Sequence, residues 1–180
     1  ASTLPHARWG CGTIPSVIWL IGVVALGVVL RVIGAGHGLP HPYHIDENVI
    51  VWLAAASATG EPAPTFHYPP CFPNLIALAA RAVFGLGSWM ADLGPLFAWR
   101  LDDHPLFYFL IARLVSALLG TVSIALTWGL ARVCGAGMAE AALAAGLMAV
   151  APAAVSESHF AMSDTAQAAM VALGLWGLAK

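Results

Sequence analysis

The run Ile14–Leu30, IPSVIWLIGVVALGVVL, contains seventeen residues without a charged side chain and is closed by Arg31. An α-helix rises about 1.5 Å per residue and a bilayer core is about 30 Å thick, so this run and its flanking residues can cross a membrane. A signal peptide is the alternative, but the run is long for one, and Gly34-Ala35-Gly36 matches a cleavage site only loosely. The run predicts a first span at about 14–33.

The whole chain has the composition of an integral membrane protein. Its 180 residues are 60% apolar and 9% charged, whereas a soluble domain carries about 25% charged residues. The net charge is −2 and the seven basic residues form no stripe, so we expect no nucleic-acid partner. Cys11, Cys71 and Cys134 are far apart and odd in number, and we interpret them as unpaired thiols.

Further apolar segments predict an all-α fold, a polytopic membrane helix bundle of about four spans. The spans are predicted at 14–33, 106–131, 139–155 and 166–178. The segment 34–105 is predicted to be an outer loop with interfacial helices at Asn48–Ala58 and Phe72–Phe84, the second stopped by Gly85 and Gly87. The bilayer is therefore an expected partner of the chain.

The charge distribution predicts the orientation of these spans. Three basic residues fall on one side of the predicted topology, and the acid-rich loop 34–105 and Asp164 fall on the other. The basic residues are Arg8, Arg132 and Lys180. By the positive-inside rule the N-terminus is cytoplasmic, and Asp46 and Asp164 share the outer face of the membrane. Since the chain starts at Ala1 and ends behind an apolar run, we expect residues 1–180 to be the N-terminal membrane module of a larger protein.

The chain returns to water at His41-Pro42-Tyr43-His44-Ile45-Asp46-Glu47, which carries two adjacent carboxylates. A charge at the centre of a span costs about 3 kcal/mol, so acids collect at the ends of spans or in cavities. In a catalytic interpretation, Asp46 accepts the proton of an attacking hydroxyl and Glu47 positions the acceptor or helps to hold a metal. In a structural interpretation, Asp46 is the N-cap of a helix and Glu47 lies in its first turn. Both interpretations are open at this point.

Asp164 has two interpretations of the same kind. With Gln167 it resembles a capping pair that opens the fourth span. The predicted topology also places it on the same face as Asp46, which makes it a candidate second acidic site.

Arg113 lies inside an apolar run, where an ionisable residue is a functional-site hypothesis by default. Its planar fork suits a phosphate group, and the alternative is an ion pair with Asp102 or Asp103. Arg31 and Arg81 are expected near water, with a structural role.

The histidines give little support for a metal site. Five of the seven lie between residues 34 and 105, but no pair has the spacing of a zinc site on a predicted helix. No cofactor is implied with certainty, the metal ligands are unknown, and a divalent metal ion beside the acids is left open.

Four stretches in this order resemble the polytopic C-type glycosyltransferases, most closely the dolichyl-phosphate-mannose protein mannosyltransferases and their bacterial relatives, including the aminoarabinose transferases of lipid A. The stretches are His44-Ile45-Asp46-Glu47, His67-Tyr68-Pro69-Pro70 with Asn74–Leu78, Ala112–Gly120, and Ser158–Asp164 behind Pro152. The resemblance covers roughly 14–178, nearly the whole chain.

The resemblance implies transfer of a hexosyl or pentosyl group from a polyprenyl-phosphate donor to a hydroxyl acceptor on a protein, lipid or glycan. It implies that Asp46 activates the acceptor hydroxyl beside Glu47, and that Asp164 is a second acid. The residues expected to bind phosphate or substrate are Arg113, His67, Tyr68 and His159. Several relatives have a basic residue where this chain has Tyr68, so a phosphate contact there would fall to His67.

Two other classes of function compete with this one. A transporter or channel subunit would use Arg113 and Asp164 as intramembrane charges. A membrane assembly partner would carry out no chemistry. The long segment 34–105 with its clustered acids favours the enzyme.

Overall fold

One long central helix organises the bundle. The computed structural model of the protein describes residues 13–39, 44–60, 70–91 and 105–180. The helices are α1 (Thr13–Val32), α2 (Ile45–Thr59), α3 (Cys71–Ala91), α4 (Pro105–Val133), α5 (Met138–Val150), α6 (Pro152–Ser158) and α7 (Ser163–Leu178). Helix α4 packs against each of the other six. The all-α prediction is confirmed, since these ranges contain seven helices and no strand.

The apolar character of the helices fits a membrane bundle. In α4, the 28 residues Leu106–Val133 form a helix long and apolar enough to cross a bilayer. Helices α5 and α6 pass the same test together, although their axes are bent by 53°. Shorter apolar stretches occur at Val17–Val32 and Cys71–Leu86. Four crossings therefore remain a prediction, with one or two supported by helix length and composition in the described ranges.

Two apolar clusters hold the helices against α4. One cluster joins α2, α3 and α4 through buried side chains such as Ile50, Ile76 and Phe84. The other joins α1, α4 and α5 around Ile124 and Ala145. Small residues at these contacts allow the helix backbones to approach closely, as membrane helices require in the absence of a hydrophobic driving force between them.

Two predicted helix ends are wrong. Helix α2 begins at Ile45 with His44 in the N-cap position, so Asp46 lies inside the first turn and is not the cap. Helix α3 continues to Ala91 through Gly85 and Gly87, which were predicted to stop it at Phe84. A glycine inside a helix costs only about 1 kcal/mol relative to alanine, and packing readily compensates for that.

The predicted third span, 139–155, is broken in the structure. Helix α5 ends at Val150 and α6 begins at Pro152. Proline has no N–H to continue the helix ladder and its ring crowds the preceding turn, which explains the break. Helix α7 then starts at Ser163, three residues before the predicted start at 166.

Candidate functional site

A buried ion pair lies at the centre of the site. Glu47 in the first turn of α2 and Arg113 in α4 are both completely buried. The Arg113 Nε donates to Glu47 Oε1 at 2.6 Å and its Nη2 donates to Oε2 at 2.8 Å. This two-pronged geometry is the strongest that an arginine and a carboxylate can form. The pair joins α2 to α4 through two residues that are 66 positions apart in sequence.

Backbone groups complete the surroundings of this pair. Arg113 Nη1 donates to the carbonyl oxygens of Ala35 at 2.9 Å and His37 at 2.7 Å. Glu47 Oε1 also accepts the N–H of Ala161 at 3.1 Å. The Phe160 ring lies 5.7 Å from the Arg113 guanidinium carbon, within the range of a cation–π contact. The pair therefore ties the turn after α1 and the connection between α6 and α7 to α2 and α4.

Local backbone geometry brings the carbonyl groups to Arg113. The chain leaves α1 through turns in which Gly34 and Gly38 have positive φ angles of 106° and 79°. Glycine adopts this left-handed region without the Cβ clash that other residues suffer. The carbonyls of Ala35 and His37 can then converge on one guanidinium nitrogen. Without such bonds, the desolvation of a buried ion pair would exceed its Coulombic gain.

Asp46 is held next to the pair but is not part of it. Its side chain is half-buried in the first turn of α2, where the positive end of the helix dipole favours a carboxylate. Within the described ranges its carboxylate has no ion-pair or hydrogen-bond partner. Because Glu47 fixes the first turn of α2, Asp46 is a positioned acid with free oxygens, as a general base must be.

Asp164 lines a separate pocket of about 210 Å³ formed by α4, α5, α6 and α7. The lining includes Gly120, Met148, Ala154, Glu157, Asp164 and Thr165. The Thr165 hydroxyl is buried and has no hydrogen-bond partner in the described part of the chain. Neither Asp46 nor Arg113 contributes to this pocket, so the pocket does not bring these two residues together with Asp164.

The capping interpretation of Asp164 is also wrong. Helix α7 has Met162 in the N-cap position, without a side-chain capping bond. Gln167 contacts Ser163, with its Nε2 donating to Oγ at 3.5 Å, and not Asp164. Asp164 is exposed in the first turn of α7.

His159 holds the end of α1. Its Nε2 donates to the carbonyl oxygen of Leu30 at 2.9 Å, which requires the proton on that nitrogen. The ring lies over Gly34, where an added Cβ would meet the imidazole at 3.4 Å. Its predicted contact with phosphate or substrate would therefore fall to the other ring nitrogen, Nδ1.

Several predicted residues lie outside the described ranges, namely His67, Tyr68, Asp102 and Asp103. The alternative partners proposed for Arg113 are among them. Within the ranges that are described, no three His, Cys, Asp or Glu side chains gather as a metal site requires. The metal prediction therefore remains open.

Two features of the site were missed from the sequence. Arg113 was assigned to a phosphate or to Asp102 or Asp103, whereas its partner is Glu47. Arg31 was expected near water but is completely buried. A usable signal existed for the first, because an arginine inside an apolar helix is commonly paired with an acid or with backbone carbonyls and Glu47 is an acid at the end of a span.

Comparison with known proteins identifies one family. The sequence model of the dolichyl-phosphate-mannose-protein mannosyltransferases matches residues 66–180, more than half of the chain. No curated protein and no solved structure matches the chain. The family match confirms the resemblance inferred from the four motifs, three of which lie in the matched range.

Proposed function

Because the chain belongs to the dolichyl-phosphate-mannose-protein mannosyltransferase family, we propose that it transfers a sugar from a polyprenyl-phosphate carrier to a hydroxyl acceptor. The family match over residues 66–180 is the observation that carries this proposal. The acceptor is a protein, lipid or glycan hydroxyl, and the sugar is a hexose or a pentose. The reaction takes place on the outer face of the plasma (inner) membrane, with the N-terminus in the cytoplasm.

Asp46 is the general base of the proposed reaction. The acceptor oxygen attacks the anomeric carbon of the sugar, the bond from that carbon to the phosphate oxygen breaks, and the lipid phosphate leaves with the bonding electrons. Asp46 takes the proton that the acceptor hydroxyl loses. A base in this position contributes about 10²–10⁴-fold to the rate. Its half-buried carboxylate, without a partner in the described ranges, is suited to this role.

Glu47 and Arg113 have positioning roles in this proposal. Glu47 accepts three hydrogen bonds, two from Arg113 and one from the Ala161 N–H. A carboxylate so fully engaged is not available as a base, so it serves to fix the first turn of α2. This assigns the two adjacent acids different tasks.

The proposed phosphate contacts are more restricted than the sequence alone suggests. Arg113 uses four of its five N–H hydrogens on Glu47, Ala35 and His37. The fifth, on Nη2, is the one hydrogen left for a phosphate, and because the side chain is completely buried, Arg113 acts mainly by positioning α2 and α4. Three other residues remain proposed donors or acceptors for phosphate or substrate, namely His67, Tyr68 and, through its Nδ1, His159. Such donors stabilise the charge that develops as the carrier leaves.

The Asp164 pocket is the proposed second acidic site. Asp164 and Glu157 offer carboxylate oxygens, and Thr165 offers a buried hydroxyl without a partner among the described residues. Hydroxyl groups of a sugar or of an acceptor are bound by such a combination of acceptors and donors. The transporter alternative is weakened, because Arg113 is neutralised by Glu47 and cannot act as a lone intramembrane charge.

The proposal is tested by transfer from defined donors. The protein at its full natural length would be reconstituted in liposomes with radiolabelled mannose on a polyprenyl phosphate, and label would be followed into added peptide, lipid and glycan acceptors. The same sugar on a nucleotide serves as the matched control. We expect transfer only from the lipid donor. Folded protein that uses the nucleotide donor equally well, or no lipid-phosphate sugar at all, would contradict the proposal.

A further inference from the structure

Arg31, at the end of α1, is completely buried and has no carboxylate partner within the described ranges. Its guanidinium donates instead to three backbone carbonyls. Nη1 donates to the carbonyl oxygens of Gly27 at 3.2 Å and Ala149 at 3.0 Å, and Nη2 donates to that of Met148 at 3.0 Å. Two of these three acceptors belong to the last turn of α5.

The acceptors on α5 are the ones that the helix break leaves without partners. In a continuous helix, the N–H of residue 152 would bond to the carbonyl of Met148, and that of residue 153 to the carbonyl of Ala149. Pro152 has no N–H, and the 53° bend between α5 and α6 separates the second pair. Arg31 supplies donors to both carbonyls and places a positive charge at the negative end of the α5 dipole.

Glycines on two helices allow the close packing around Arg31. A Cβ on Gly120 in α4 would lie 2.8 Å from Arg31 Nε and would also collide with the Ser158 hydroxyl. A Cβ on Gly27 in α1 would collide with the Ile124 side chain. The guanidinium is therefore confined between α1, α4 and α5, with little freedom to leave the carbonyls.

The last turn of α1 also holds the other end of α6. The Leu30 carbonyl accepts the bond from His159, and two residues later the Ala161 N–H donates to Glu47. Bending at Pro152 thus aims α6 so that its end reaches both α1 and the buried ion pair. Asp164 follows directly in the first turn of α7.

We infer that Arg31 is a positioning residue, which holds the broken helix α5–α6 in its bent form and thereby places Ala161 on Glu47 and the start of α7 at the Asp164 pocket. The inference rests on the proposed function for its catalytic consequence. Arg31 makes no bond to Asp46 or Asp164, and it meets the lining of the Asp164 pocket at the Met148 carbonyl, so it acts through the backbone of α5 and α6.

The test uses Arg31→Met, Arg31→Lys and the double variant Arg31→Met/Pro152→Ala in the full natural chain. Spin labels at Leu143 on α5 and Val171 on α7, both exposed, report the bend in a background with the native cysteines changed to serine. Arg31→Met should broaden or shift the distance between the labels, whereas Arg31→Lys should keep most of the original distribution. In the double variant, residue 152 regains an N–H for the Met148 carbonyl, so we expect a single, shifted distance from a straightened helix.

Sugar transfer is measured on the same variants. Misplacement of reacting groups by about 1 Å can cost about 100-fold in rate, so we expect a loss of that order in kcat for Arg31→Met. The double variant should remain equally slow although it is stably folded, which a purely structural role of Arg31 would not predict. Arg81→Met is the matched control, because Arg81 also donates to two carbonyls at a helix end, those of Ser57 and Ala58, but is exposed.

An unchanged label distance in Arg31→Met would overturn the inference. Wild-type transfer in a double variant with a straightened helix would overturn it as well. If the wild-type protein transfers no sugar, the proposed function fails by itself, and the label distances still decide whether Arg31 holds the bend.

Discussion

Removal of either partner of the Glu47–Arg113 pair should strongly destabilise the protein, and removal of both should cost much less than the sum. The changes are Glu47→Leu, Arg113→Met and the double variant. Each single change leaves one fully buried charge without its partner, which costs about 3–5 kcal/mol. Two such changes would therefore add to about 8 kcal/mol if they acted independently.

The double variant has no uncompensated charge, but three backbone groups lose the hydrogen bonds that the pair makes to them. These are the carbonyls of Ala35 and His37 and the N–H of Ala161. An unsatisfied buried group costs about 1–3 kcal/mol, and local rearrangement lowers this figure. We therefore expect the double variant to lose about 5 kcal/mol, which leaves a coupling energy of about 3 kcal/mol between the two positions.

The free energy of unfolding would be measured by denaturant titration in mixed micelles, with helix content and tryptophan fluorescence as probes. Arg81→Met is the control, and its exposed side chain should contribute less than about 1 kcal/mol. A coupling energy below about 0.5 kcal/mol would refute the reasoning, because contacting residues in one buried network do not behave additively.

Three further predictions follow from packing, hydrogen bonding and topology. Gly120→Ala should lower the unfolding free energy by about 1–3 kcal/mol, because the added Cβ meets Arg31 and Ser158. The control Gly146→Ala, where nothing lies within 4 Å of an added Cβ, should be neutral or stabilising in the same titration. Equal losses in the two variants would contradict the packing argument. His159→Ala should lower the unfolding free energy by about 1 kcal/mol through the lost bond to the Leu30 carbonyl. His159→Gln keeps a donor and should recover part of this loss. An equal loss in the glutamine variant would show that the bond does not matter. With Cys11 changed to serine, a membrane-impermeant maleimide should label the exposed thiols of Cys71 and Cys134 from opposite faces of sealed vesicles, and labelling of both from one face would contradict the predicted orientation.

The fold class could be predicted because it depends on composition and on apolar run length. The apolar run that forms most of α4, Leu106–Val133, is recognisable by its length. The low charge content argues against a soluble globular protein, whose surface needs more charged residues. Helix ends were harder, because they depend on tertiary contacts. Gly85 and Gly87 are local stop signals, yet α3 passes through both.

The site could be predicted only as a set of residues and not as a set of contacts. Asp46, Glu47, Arg113 and Asp164 were singled out because charges are rare in an apolar chain. Their partners could not be read from spacing, since 66 residues separate Glu47 from Arg113. Glu47 is buried and Asp46 is half-buried because the two side chains leave the first turn of α2 in different directions, and only the structure shows which direction faces the bundle.

Arg31 is the clearest example of information that only the structure contains. A basic residue behind an apolar run is usually interpreted as a residue that reaches the interface. Here, the break at Pro152 frees carbonyls on a helix that is more than a hundred residues away in sequence, and these attract the guanidinium. Nothing in the sequence around Pro152 or around Arg31 indicates that these two residues act on the same helix end.

The central claim is that Asp46 is the base in sugar transfer and Glu47 is not. The most direct measurement is the transfer rate of Asp46→Asn in the full natural chain, with folding checked by the same unfolding titration. The account predicts a loss of at least about 100-fold in kcat, with a change in stability of no more than about 1 kcal/mol from the altered charge at the start of α2. A folded Asp46→Asn protein that transfers sugar at the wild-type rate would contradict it.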